Sequence, residues 1–173
     1  MKESNYYRAP YYPVQLTIVC TLIAICSCCN ISHLQRPMKM TSMTNGVKLE
    51  VRLPAAIQSG RAVQLTVRLS NASPRAIYFA RIDGMRELNI RVINSNKIAP
   101  EPTPLGKKIF SARATFTDIN TPLEPGQSHE WHVDLNTLYK LVPATYFVSV
   151  SIGVNRFLKS FTISVEGIEF AIQ

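Results

Sequence analysis

From Val47 onward the chain alternates apolar and polar residues with a period of two, the signature of strands that bury one face. Val47, Leu49, Val51 and Leu53 interleave with Lys48, Glu50 and Arg52, and Val63, Leu65, Val67 and Leu69 interleave with Gln64, Thr66 and Arg68. The second run stops at Asn71-Ala72-Ser73-Pro74, a strong turn. Positions 75–82 and 87–93 continue the series as hairpin-like steps, separated by Asp83-Gly84 and closed by Asn94-Ser95-Asn96. Three prolines and a glycine in 99–108 are too many for a central strand and predict a loop that crosses between sheets.

A short strand is expected over 113–119, a turn over 121–126, and a strand in which Trp131, Val133 and Leu135 face away from Glu130, His132 and Asp134. One helical turn is expected over 136–141. Tyr146, Val148, Val150 and Ile152 then alternate with Phe147, Ser149 and Ser151, and strands over 157–165 and 168–172 close the domain. Seven to nine strands with no amphipathic helix of useful length predict an all-β protein of two packed antiparallel sheets, a β-sandwich.

The segment before this domain has a different character. Positions 14–31, VQLTIVCTLIAICSCCNI, carry no charge, and Lys2 and Arg8 precede them while Arg36 and Lys39 follow. As a helix, 18 residues would extend about 27 Å, slightly short of the ~30 Å hydrocarbon core of a bilayer. The strongly apolar part, 16–26, has the length of a signal-peptide hydrophobic region. Residues 1–28 are therefore expected to be a signal peptide or membrane anchor. Residues 29–46, with one proline and no sustained period, are expected to be a flexible tether, and 47–173 the folded domain.

Cysteine usage sharpens that division. Cys20, Cys26, Cys28 and Cys29 all lie in the leader region, so no disulfide framework is available to the domain. The run Ile25-Cys26-Ser27-Cys28 resembles a bacterial lipobox, with an aliphatic residue at −3 and a small one at −1, which makes Cys28 the expected lipidation site. An uncleaved anchor and an ordinary cleaved signal are the alternatives, and all three place the domain in the cell envelope, outside the cytoplasm.

The net charge is +8, and removing Lys2, Arg8 and Glu3 with the leader lowers it only to +7. The arginines are spread one or two to a strand, as on a solvated basic sheet surface; an anionic surface is the charged partner this would suit. No nucleic-acid-binding motif is present, and no nucleic-acid partner is expected.

Ser128-His129-Glu130-Trp131-His132-Val133-Asp134 is the densest group of chemically capable side chains, but the domain supplies neither further ligands for a metal nor the elements of a catalytic triad. No catalytic residue, metal or cofactor is expected. For partner contact the best candidates are Lys107, Lys108 and Phe110, where charge and an aromatic side chain follow the proline-rich segment.

The stretch LEPGQSHEWHVDLNTLYKLVPATYFVSV resembles a pattern of bacterial extracytoplasmic immunoglobulin-like domains: a Pro-Gly turn, a strand, "DL..LY.L", then "PGTY.V.V". Pro125-Gly126, Asp134-Leu135, Leu138-Tyr139, Leu141 and Pro143-Ala144-Thr145-Tyr146 stand in those places, with Ala144 replacing the usual glycine. VQLTVRLSNASPRAIYF resembles an earlier strand pair of the same domains. The layout is similar to that of the BsuPI-type proteinase inhibitor domain and of the pro-region of some fungal metalloproteases. The resemblance implies an immunoglobulin-like sandwich, and its positions are structural. The expected function is a non-enzymatic, membrane-tethered extracytoplasmic binding or structural module, with a protease inhibitor or chaperone-like pro-region as the alternative.

Overall fold

A computed structural model describes residues 37–80, 88–111, 120–156 and 159–173, all within the compact unit Gln35–Gln173. Ten strands lie among them: β1 (Met38–Thr44), β2 (Val47–Leu53), β3 (Ala56–Ile57), β4 (Gln64–Asn71), β5 (Ile77–Ala80), β6 (Leu88–Asn94), β7 (Asn120–Leu123), β8 (Ser128–Asp134), β9 (Ala144–Arg156) and β10 (Lys159–Ile172). Two helices accompany them, α1 (Pro104–Ser111) and α2 (Leu135–Leu138).

The strands form two sheets. One has the order β1-β2-β4-β8 and is antiparallel throughout; the other has the order β3-β10-β9-β5-β7, with β6 also on β9. β3 is the exception to antiparallel pairing, lying parallel to β10. The period-two pattern sets which face is inside. Val47, Leu49, Val51 and Leu53 of β2 meet Val148, Val150, Ile152 and Val154 of β9 in one continuous buried cluster that draws on both sheets. Burying each such side chain contributes about 1.5–3 kcal/mol, which is how the domain holds together without a cross-link.

Three expectations are corrected. The tether was expected to run through residue 46, but Met38–Thr44 is strand β1, paired along its whole length with β2. The physical reason is the Asn45-Gly46 pair: both adopt positive φ, 52° and 75°, the conformation of a two-residue hairpin turn matched to strand twist. Second, the proline-rich segment ends in helix rather than loop. Pro104 occupies the first helical position, where its missing N–H is no loss, and the Thr103 hydroxyl accepts from the Gly106 N–H at 3.0 Å. Third, β5 and β6 do not form a hairpin. Both pair with the same edge of β9, Phe79 opposite Val154 and Leu88 opposite Ile152, so they act as successive lengths of one strand position. The strand expected over 113–119 and the first residues of the one expected from 157 lie outside the described residues.

The corner after β4 is polar yet buried. The Asn71 amide donates to the carbonyls of Leu123 (2.8 Å) and Arg75 (2.9 Å), and its Oδ1 accepts from the Ser73 N–H (2.9 Å) and hydroxyl (2.7 Å). One side chain thus ties the end of β4 to β7 and to the start of β5. Asn71→Ala leaves several buried groups unpaired and is expected to lower stability by about 2–4 kcal/mol, read as the shift of a urea unfolding curve; a change under about 0.5 kcal/mol would show that water replaces these bonds.

Candidate functional site

The residues singled out for partner contact are carried by α1. Thr103 begins the element by donating its N–H to the Leu138 carbonyl (3.0 Å) and its hydroxyl to the Thr137 carbonyl (2.5 Å), which seats the start of α1 on α2. Gly106 then makes the close approach possible: a Cβ there would lie 2.1 Å from the Leu138 carbonyl oxygen. Ile109 packs against the core, while Leu105 and Phe110 remain 47% exposed. The Phe110 ring lies against Tyr139, centroids 5.3 Å apart. Tyr139 is itself fixed, since its buried hydroxyl donates to the Ile90 carbonyl at 3.0 Å, and burial pushes its phenol above the ordinary value.

Charge surrounds this aromatic pair. Lys140 hydrogen-bonds Glu101 at 2.9 Å, and Lys107 stands 4.0 Å from the same carboxylate oxygen. The Lys140 hydrogen bond, more than any other influence, holds the Glu101 carboxyl below its usual range. Lys108 lies in the last turn, where a cation complements the helix dipole. The structure therefore brings Lys107, Lys108 and Phe110 onto one short, anchored helix beside Tyr139. Sequence reasoning missed Tyr139 and Gly106; the signal for Gly106 was a glycine two residues after a proline that can start a helix.

The β8 constellation does not converge. His132 Nε2 lies 3.2 Å from Glu130 Oε1 on the outer face, with His132 68% exposed, whereas Asp134 Oδ1 accepts the backbone N–H groups of Asn136 (3.0 Å) and Val63 (3.2 Å). Asp134 is thus the N-cap of α2. His129 turns inward with Trp131, ring centroids 4.4 Å apart, and Phe79 completes the aromatic group. Among the described residues no group of three or more His, Cys, Asp or Glu is placed to hold a metal ion.

An ionic cluster absent from the sequence reading occupies the outer face of the first sheet. Glu50, 5% exposed, receives Arg52 on Oε1 and both Lys39 (3.0 Å) and Lys48 (3.2 Å) on Oε2. Burial alone would raise its carboxyl, but the hydrogen bonds from Lys39, Arg52 and Lys48 outweigh it and hold the group at about 2. Lys39 comes from β1, so the cluster also fastens the edge strand to β2.

Cys28 and the apolar leader lie outside the described residues, among which no helix is long and apolar enough to cross a membrane. Compared with known proteins, the chain matches no family model and no curated sequence.

Two outcomes follow from this geometry. Because the Glu50 carboxyl sits below its ordinary 4.5 in the folded chain, its stabilisation is full above about pH 4.5 and is lost as pH falls through about 2. Glu50→Gln should therefore cost roughly 1–3 kcal/mol at neutral pH, discounted for the half-exposed cations, and the gap should close toward pH 2; a pH-independent gap in urea titrations would refute this electrostatic account. Gly106→Ala should push α1 away from Leu138, lowering stability by about 1–3 kcal/mol and shifting the NMR signals of Phe110 and Tyr139, whereas unchanged spectra would mean that the contact is not tight.

Proposed function

We propose that this chain is a non-enzymatic, membrane-tethered extracytoplasmic binding module, a lipoprotein acylated at Cys28 that carries an immunoglobulin-like domain in the cell envelope. Several features support the immunoglobulin-like reading. Tyr146 near the start of β9 donates its hydroxyl to the Val142 carbonyl (3.0 Å) and accepts from the Val142 N–H (3.1 Å), the bonding of a tyrosine corner. β2 hands the chain from one sheet to β3 in the other, which then runs parallel to the last strand. These features agree with the sequence resemblance over "PATY".

The observation that carries the binding role is the anchored presentation of Phe110, Lys107 and Lys108 on α1. An aromatic ring held by a fixed tyrosine and flanked by cations loses little conformational freedom on contact, the property of residues that dominate protein interfaces. The partner it suits is a protein surface offering an apolar recess rimmed by acidic residues. The tether rests on the uncharged run at 14–31 and on the match of Ile25, Ser27 and Cys28 to a lipobox.

Both halves of the reading are testable in cells with the full chain. Fractionation should place it in membranes, with mass spectrometry finding an acyl group on Cys28, and Cys28→Ser should release it. Recovery of a soluble, unacylated chain beginning at Met1 overturns the tether. A photo-crosslinking amino acid at position 110 should give a discrete protein adduct that Lys107→Glu and Lys108→Glu together abolish, while the same probe at Ser160 gives none. Identical crosslinking at both positions overturns the assignment of α1.

A further inference from the structure

The outer face of the second sheet is not flat. On β9 the outward side chains are Phe147, Ser149 and Ser151, and the β6 register places Ile93 beside Phe147, Arg91 beside Ser149 and Asn89 beside Ser151. On the other flank the register of β10 shifts between Val165 and Ile168, where Glu166 and Gly167, the latter at φ 73°, together stand opposite the single residue Ser149 as a β-bulge. The bulge makes one wall of a groove of about 610 Å3, whose lining includes Phe147, Arg91, Glu166 and Lys97. A second hollow of about 220 Å3 shares Arg91, Ser149 and Glu166 and extends over Asn89, Ser151 and Ser164.

The turn after β6 holds Lys97 at the mouth of the larger hollow. Asn94 Oδ1 accepts from the N–H groups of Asn96 (3.0 Å) and Ile98 (2.9 Å), the Lys97 N–H donates to the Asn94 carbonyl (2.9 Å), and Lys97 itself takes a positive φ of 62°. A non-glycine residue held in that region marks a turn over-determined by its hydrogen bonds.

We propose that this groove binds a short acidic oligosaccharide. Its volume is that of ligand sites, which run about 300–1,000 Å3. Ser149 in the groove begins a floor of short hydroxyl and amide side chains that continues through the adjoining hollow over Asn89, Ser151 and Ser164, offering donors and acceptors to a chain of sugar hydroxyls. The Phe147 ring and Ile93 give one end an apolar platform for the C–H face of a pyranose, whose slightly positive hydrogens meet the negative face of the ring. Arg91 and Lys97 together outnumber Glu166, so the groove favours a ligand bearing a carboxylate; the planar guanidinium of Arg91 pairs with it in two-pronged fashion while Glu166 accepts from neighbouring hydroxyls. A protein loop would leave this hydroxyl floor poorly paired, and a lipid surface does not enter a groove.

No residue of α1 lines either hollow, so this test is independent of the role proposed for α1 above. Titration calorimetry with the full chain in detergent should show binding of trigalacturonic acid and at least about tenfold weaker binding of the neutral trisaccharide maltotriose. Arg91→Ala should weaken trigalacturonate about tenfold or more and bring it level with maltotriose. Phe147→Leu, which keeps apolar volume but removes the ring, should weaken both sugars. Arg61→Ala, on a loop away from the groove, should change neither. Unfolding midpoints of the variants establish that each is folded. No binding of either sugar, equal affinity of the native chain for both, or trigalacturonate binding that Arg91→Ala and Phe147→Leu leave untouched would each overturn the proposal, the last showing only attraction of a polyanion to a basic protein.

Discussion

The passage of the chain from β8 in one sheet to β9 in the other is the constraint on which the remaining structure depends. No cysteine lies beyond Cys29, so nothing covalent joins the sheets, and this short crossover must be fixed by hydrogen bonds and packing alone. Asp134 starts α2 and reaches the Val63 N–H before β4, Leu135 and Leu138 plug the core, Tyr139 grips Ile90 on β6, and Tyr146 grips Val142 before β9 sets off. Among the described residues each buried side-chain nitrogen and oxygen has a partner, which keeps side chains of the crossover from carrying a desolvation penalty into the core. α1 is an addition to this scaffold: Thr103, Glu101 and Gly106 all lean on residues 137–140.

Much of the fold was legible because strands with one buried face write their period directly into sequence. Val47 to Leu53, Leu65 to Leu69 and Tyr146 to Ile152 point inward as their alternation requires. What was not legible depended on partners distant in sequence. Met38–Thr44 looks like a tether because its inward positions end in Ser42 and Thr44 rather than in aliphatic residues, and only the Asn45-Gly46 turn marks it as half of a hairpin. Residues 104–111 look like loop because local proline content suggests it; the helix exists because Gly106 allows backbone contact with Leu138, a fact fixed by residues thirty positions away.

The candidate sites show the same division. Phe110 and Lys107 were visible as exposed-looking chemistry, but their anchoring on Tyr139 was not, since Tyr139 reads locally as a core residue of a helical turn. Glu50 reads as one more outward residue in an alternating strand, and its burial comes from Lys39 on a strand the sequence did not announce. A groove is harder still to read. Ser149, Ser151 and Ser164 are ordinary solvent-facing residues until a bulge two residues long raises a wall beside them.

These observations also explain why the two outward surfaces of the sandwich differ. On the first sheet β1, β2 and β4 pair without interruption, and cross-strand neighbours settle their charges locally, with Glu50 drawing in cations from β1 and β2. A regular face of this kind keeps its cross-strand charges in direct contact. On the second sheet β5 and β6 share one position along β9, and β10 carries the bulge, so the pleat is broken on both flanks of β9. Irregular pairing spreads side chains that a regular ladder would bring together, and it leaves room between them. The long β9–β10 hairpin tolerates this because its inner face, from Tyr146 to Val154 and from Ile163 to Ile172, is packed along nearly its whole length. Core packing on one side of a strand is what permits departure from regularity on the other, and in this domain the departure lies where the polar residues and the arginine are set side by side.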